Sequence, residues 1–349
     1  LFNLVKKLAI FLLFTGVLFV SILFLLRQPR YTIETDGELY IVNKLSSTIT
    51  VFDLKQGKEV AKLPMKIRPH ELTAVSSLHK IVVSNYGSDD NIGSEVTIID
   101  SDNHSIDKTI ELQNSERPQG VITFPSMQTV GVATNLGNDL LVLDVESGSV
   151  KRKIPTHQAM SHLLVHHPSL PIVYITNAKS NSLSIIDYNN GEIVKTLSCG
   201  QGTEGIAITP DGKEIWLACK LDNTINVLDT QTQEIIHSFS TQEEPLRLSF
   251  SIDGKYCLVT NGMAGTVSVF DQKSKECIKI IYLSGKQSVL QRLLYHTPRP
   301  VGILVHPNGK YAFVSNSNAD KVEVIDMKTF NVVSTIGTDR VPDGLALML

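Results

Sequence analysis

From residue 39 to the C-terminus, apolar residues come in runs of four to eight, separated by polar turns, and helical spacing is absent through most of the stretch. One unit shows the pattern. Ile206–Thr209 reads as a strand A and Pro210-Asp211-Gly212 as a turn, followed by strand B at Glu214–Cys219, strand C at Thr224–Asp229 and strand D at Glu234–Phe239. Strands A to C are almost continuously apolar, which suits sheets covered on both faces.

The unit repeats. Seven segments share a β-rich run ending in Asn, a polar turn and a second run ending in Asp: 40–53, 82–100, 132–144, 174–187, 216–229, 258–271 and 313–326. The closing residues Asp53, Asp100, Asp144, Asp187, Asp229, Asp271 and Asp326 are spaced by 47, 44, 43, 42, 42 and 55. That period is one four-stranded propeller blade. The two ends of the repeat region complement each other. Pro342–Met348 reads as a strand A with no B, C or D after it, and the unit starting near Leu39 has B, C and D but no A. The expected fold is therefore an all-β seven-bladed propeller closed by the C-terminal strand, rather than an open solenoid, because closure removes the unpaired edges.

Leu8 to Leu26 is a run of 19 residues without a charge, roughly 28 Å long as a helix and close to the hydrocarbon thickness of a bilayer. The expected organisation is a short cytoplasmic tail at 1–7, a transmembrane anchor at 8–26, a linker at 27–38 and the propeller at 39–349. A cleaved signal peptide is the rival reading of 8–26. The run is longer than a signal core and no A-x-A-like site follows it. Lys6, Lys7 and the terminal amine, set against Arg27 and Arg30, favour a propeller on the extracytoplasmic side, periplasmic or at the cell surface.

Charge narrows the partners. Of 32 basic and 35 acidic residues, four basic and no acidic ones lie in 1–30, so the remainder carries 28 against 35, a net of −7. A body this acidic lacks the cationic surface that nucleic acid requires, and no nucleic-acid partner is expected. No cofactor is expected either: the chain has no C-x-x-C-H, Walker or G-x-S-x-G string, and no metal-ligand spacing. Gly87-Ser88-Asp89-Asp90-Asn91 is rich in oxygen but lacks the EF-hand spacing. His166, His167 and His306 fall at A–B turns and read as structural. Cys257 aligns with an interior strand position and reads as a buried thiol. Cys219 stands where other blades carry Asn, and reads as a packed one.

Topology selects a face. The B–C and D–A loops emerge together, and both departures from regular length fall there: the excursion at 87–94, and an insert at 282–298 whose Val289, Leu290, Leu293 and Leu294 fit a short helix. The residues opening each strand A line the channel mouth on this face. Most blades have Gly at that point, whereas Glu71, His162 and Arg247 replace it with large polar groups. With Arg68, His70, Arg117, Gln119, Glu204, Arg299, Arg340 and Asp343 nearby, the mouth suits a small anionic or polyhydroxylated ligand, or a protein partner. The alternative is a solvated rim. The Asn residues ending strand B and the Asp residues ending strand C are expected to bond the turns that follow them.

The strings YITN at 174–177, VVSN, VATN, LVTN and FVSN, with P-x-G before strand A (Pro118-Gln119-Gly120, Pro300-Val301-Gly302, Pro342-Asp343-Gly344) and P-D/N-G-K after it (210–213, 307–310), resemble the YVTN-repeat seven-bladed propeller family across residues 39–349. Phosphogluconolactonase-like propellers are more distantly similar. Ser161-His162-Leu163 and Pro245-Leu246-Arg247-Leu248 look like partial copies of their G-P-R-H-type opening of strand A. That resemblance implies lactone hydrolysis as the alternative to binding, with His162, Arg247 and Glu71 as the catalytic candidates.

Overall fold

In the computed structural model, which describes residues 30–285 and 297–349 apart from 113, 126 and 127, plus a few isolated positions before residue 17, the chain forms seven four-stranded antiparallel sheets. Blade one combines strand A from the C-terminus (Pro342–Met348) with B (Glu38–Asn43), C (Thr48–Asp53) and D (Lys58–Pro64). Leu39 pairs with Leu347 and Tyr40 with Ala346, so the last strand closes the ring as the complementary ends require. Of the proposed membrane segment only residues 11, 13, 15 and 16 are described, all helical, and the helix-like stretch of the blade-six insert falls outside the described residues. Among those described, no helix is long and apolar enough to cross a membrane.

The core lies between neighbouring sheets. Tyr40, Val42, Ile49 and Val51 of blade one pack with Ile81, Val83 and Ile99 of blade two. Trp216 of blade five meets Phe250 and Phe270 of blade six edge-on, at ring distances of 5.4 and 6.3 Å. Strands B and C are buried, whereas the D strands, such as Val150–Pro155, are mostly exposed. That gradient matches the apolar A-to-C reading. In blade five, strands B and C fall where expected and strand A starts earlier, at Thr203.

The aspartates ending strand C hold the C–D turns: Asp53 Oδ1 accepts the N–H groups of Lys55 and Gln56 at 2.8 and 2.7 Å, and Asp229 those of Gln231 and Thr232. The asparagines act differently from expectation. Rather than bonding the turn, Asn177 Nδ2 donates across to Ser182 and Ser184 of strand C at 3.1 and 2.9 Å, and Asn43 and Asn261 do likewise. In blade three the equivalent residue is Thr134, which faces Asp139 five residues on, as Asn177 faces Ser182. Asn135 lies one position further, in the loop.

Blades are joined by the hydroxyl just before this position. Ser84, Thr176, Thr260 and Ser315 donate to the strand-A carbonyls of the next blade, at Gln119, Glu204, Val301 and Asp343, over 2.6–3.0 Å. The glycine of P-x-G serves the same junction. A Cβ on Gly205 or Gly302 would lie 2.4 or 2.2 Å from the carbonyl oxygen of Leu246 or Asp343 in the next blade, so only hydrogen fits.

Candidate functional site

Each strand A is preceded by a residue in left-handed conformation in six blades: Arg117, Met160, Gly202, Glu244, Arg299 and Val341, with φ between 51 and 65°. This turn directs a carbonyl back to the residue after strand B, as in Asn135 N–H to Arg117 O at 2.8 Å and Ala178 N–H to Met160 O at 2.9 Å. The next-but-one residue then projects at the channel mouth. In blades two to seven its neighbour within the blade lies 16 positions on: His70 with Tyr86, Gln119 with Asn135, His162 with Ala178, Glu204 with Lys220, Leu246 with Gly262 and Val301 with Ser317. His162 therefore does not replace the glycine as Glu71 and Arg247 do; Leu163 fills that place, its N–H on Thr176 Oγ1 as that of Arg247 is on Thr260 Oγ1. In blade one, ring closure sets Asp343 against Lys44.

Four of these seven pairs interact. Lys44 Nζ is 3.4 Å from Asp343 Oδ2, Lys220 Nζ contacts Glu204 Oε2, Asn135 Nδ2 donates to Gln119 Oε1 at 2.7 Å, and the Tyr86 and His70 rings lie 5.3 Å apart. Arg247 spans the channel from blade six, with Nη2 2.9 Å from Glu71 Oε1 and Nη1 3.7 Å from Glu204 Oε1. His162 Nε2 is 3.5 Å from the same Glu204 oxygen, and its Nδ1 is buried without a hydrogen-bond partner. His70 Nδ1 and Asp343 Oδ1 are likewise buried and partnerless.

Burial sets the protonation states. It drives His162 down to about 4, with Arg247, Lys220 and Lys44 adding to the effect against Glu204, so the imidazole is neutral at pH 7. Burial and the charges of Lys44 and Arg247 hold His70 well below its usual value. Burial alone would raise Glu204, but His162, Arg247 and Lys220 bring its carboxyl down to about 2. Glu71 goes the other way, raised by burial and by Asp343 despite Arg247. The far end of the channel is a cavity of about 380 Å³ lined by Thr73, Ile122, Val165 and Ile208, without such charge.

A sequence profile described as lactonase, 7-bladed beta-propeller matches residues 72–278. The chain belongs to this lactonase propeller family. Among relatives, the uncharacterised protein YncE of Salmonella typhi is 22% identical over 237 residues, which cover 52% of this chain and 65% of YncE. Its counterpart in Salmonella typhimurium matches to the same extent. The chain thus spans just under two thirds of the length of these relatives. Among solved structures, a functionally unknown protein from Desulfotomaculum acetoxidans superposes with a TM-score of 0.74 at 17% identity, covering 90% of this chain and 99% of its own. Kuenenia stuttgartiensis hydrazine synthase gives 0.69 at 15%, covering 80% and 89%. Dihydro-heme d1 dehydrogenase NirN gives 0.64 at 16%, covering 89% and 65%. At these identities the likeness is one of fold.

Within this lactonase-family propeller, the residues singled out from sequence separate into two groups. His70, Glu71, Gln119, His162, Glu204, Arg247 and Asp343 converge at the mouth. Arg117 lies over the ring of Tyr86, bonding its Oη at 2.9 Å, and is engaged by Asp89 Oδ1 at 2.5 Å, while Arg299 is engaged by Glu244 at 2.8 Å. Arg68 is half-buried in the blade-two D–A loop and Arg340 is exposed. Sequence reasoning missed Lys44 and Lys220. Both follow the last residue of strand B, and that shared position is the signal that identifies them. His70, Glu71 and Asp343 bring ligand-type atoms within 4.8 Å of one another, a metal-like grouping where the sequence offered no metal spacing. Lys44 and Arg247 already pair with two of the three, so positive charge is present there without an ion.

Proposed function

We propose that the protein is a membrane-anchored, extracytoplasmic binding propeller whose channel mouth holds a small anionic or polyhydroxylated ligand. The observation that carries this reading is His162: 2% exposed, neutral and partnerless at Nδ1, and sharing Glu204 Oε1 with the guanidinium of Arg247. A buried polar atom left unpaired costs free energy that a ligand hydroxyl or carboxylate would recover. Arg247 offers a planar, charge-assisted donor to the same ligand. The uncharged run at 8–26 supports the anchor, and the acidic body argues against nucleic acid.

The test is a thermal-shift titration with gluconate and neutral polyols. Binding to the folded state raises the melting temperature by mass action, and His162→Ala should remove the rise. The absence of any rise with the intact protein across these ligands would discard the reading.

Lactone opening is the second reading, supported by family membership and by two carboxyls whose environments push them apart. Neutral His162 would take a proton from the attacking water and return it to the departing ring oxygen, while Arg247 would stabilise the carbonyl oxyanion. Water and lactone then balance to one hydroxy acid. It ranks second because Glu204 lies 3.5 Å from His162 and is shared with Lys220 and Arg247, so it does not orient the imidazole as a base. Lactone turnover above the spontaneous rate, lost in His162→Ala, would reverse the order.

A further inference from the structure

The loops framing the mouth present apolar side chains at one repeated position. Leu45, Leu136, Leu221 and Met263 each stand two residues after the end of strand B, in blades one, three, five and six, and are 43, 48, 67 and 52% exposed. They are held rather than loose: Leu45, Leu136 and Leu221 donate their N–H groups to Arg340, Glu116 and Gln201 carbonyls at 3.2 Å. Single exposed apolar residues are ordinary. Four at one structural position around one opening mark a contact surface. The opposite face exposes Leu170, Ile252 and Leu349, at two A–B turns and the chain end.

A second observation names what this surface meets. Residues 30–32 run antiparallel to strand D of blade seven (Asn331–Gly337). Thr335 N–H donates to Arg30 O at 2.9 Å, Thr32 N–H to Ser334 Oγ at 2.9 Å and Thr32 Oγ1 to Val333 O at 2.8 Å. The segment then reaches the far face, where Asn308 Nδ2 donates to Thr35 Oγ1 at 2.8 Å and His306 Nε2 to Asp36 O at 2.9 Å. Strand D runs toward the mouth face, so Arg30 is the mouth-side end of the described segment. Thr335 is two residues, about 7 Å, from the mouth-side end of its strand. Leu26, the end of the uncharged run, lies within four peptide units of Arg30, at most about 14 Å.

We infer that the mouth face of the propeller lies against the lipid bilayer, with Leu45, Leu136, Leu221 and Met263 at the boundary between headgroups and acyl chains. This rests on the reading of residues 8–26 as a retained anchor. The tether is too short for the propeller to turn freely, and the apolar tips are on the side it brings closest.

The experiment uses the full chain in phosphatidylcholine vesicles with and without brominated acyl chains, which quench tryptophan. The single native tryptophan, Trp216, is fully buried and gives a constant background. Leu221→Trp and Met263→Trp report on the mouth face and Ile252→Trp on the opposite one. Quenching of the first two at least twofold stronger than that of the third is expected. If the protein does not float with the vesicles, the anchor reading and the inference fail together. If it floats and Ile252→Trp is quenched as strongly, the anchor stands and the inference is overturned. Mouth-face tryptophans shielded from aqueous quencher yet untouched by brominated lipid would also overturn it, in favour of a protein partner or a second copy. A variant with a lowered melting temperature is replaced by Leu136→Trp.

Discussion

Arg247 and Glu71 belong to blades on opposite sides of the channel, yet their side chains meet at 2.9 Å across it. Both are ionisable groups in a mouth largely closed to water, with Glu204 a further 3.7 Å contact of the same guanidinium. Removing one member of a buried pair leaves the other charged without a partner, which costs about 3–5 kcal/mol. Arg247→Met should therefore destabilise by that amount in chemical denaturation. Adding Glu71→Gln should recover part of the loss, because the second change removes a charge the first one stranded. A double variant no more stable than Arg247→Met would show that the pair is not coupled.

Acid should loosen the mouth, and the sign can be worked out. His162 has its ordinary value near 6.5 in the unfolded chain and about 4 when folded. Above 6.5 both states are neutral. Between 6.5 and 4 the unfolded state takes up a proton the folded state refuses, so stability falls as pH falls, and levels off below 4. Glu204, lowered from 4.5 to about 2, adds its own loss between those values as pH falls. Raised Glu71 opposes both, and lowered His70 reinforces them. Melting curves across pH 7 to 4 should show the decline, with a shallower slope in His162→Gln.

The junction glycines set a steric limit. Gly302→Ala would push a methyl toward the Asp343 carbonyl oxygen at 2.2 Å, and backbone cannot step aside as a flexible side chain would. Overpacking of this kind costs about 1–3 kcal/mol. A melting temperature unchanged in Gly302→Ala would mean the blades yield at this seam.

Blade five carries a traded pair. Where blades one, two, four and six set an Asn amide on strand B against a hydroxyl on strand C, here Cys219 sits on strand B and Asn226 supplies the amide from strand C, Nδ2 to Sγ at 3.5 Å. Cys219→Asn or Asn226→Ser alone should destabilise, the first by crowding two amides and the second by removing the donor. Together they rebuild the arrangement of blade four, and the double variant should regain at least about 1 kcal/mol relative to the sum. Additive losses would refute the trade.

Much of this architecture was legible because it is periodic. The Asp-to-Asp spacing gave the blades, and the complementary ends gave the closure of Leu39 on Leu347. Misplacement of Asn135 had a visible cause, since it stands nine residues before Asp144 where Asn177 stands ten before Asp187. The mouth was harder. Strand A is irregular where it begins, with register shifts between Ser161 and Leu164 and between Thr203 and Gly205. Simple alternation therefore cannot say which residue faces the channel or what it meets. Arg117 and Arg299 were grouped with the mouth by proximity in sequence, but Asp89 and Glu244 in neighbouring loops claim them. Lys44 reaches Asp343 only because the two ends of the chain share a blade.

The constant step of 16 residues makes the channel opening a set of separately editable slots. Each slot is two side chains on one sheet, while the seams between sheets are held by other atoms: the hydroxyls of Ser84, Thr176, Thr260 and Ser315 and the missing Cβ atoms of the glycines. A change of specificity can then be written into Val301, or into the slot of Leu246 and Gly262, without unpicking the ring that presents it; Ser317 differs, because its Oγ donates to Pro342 O of blade one at 2.8 Å.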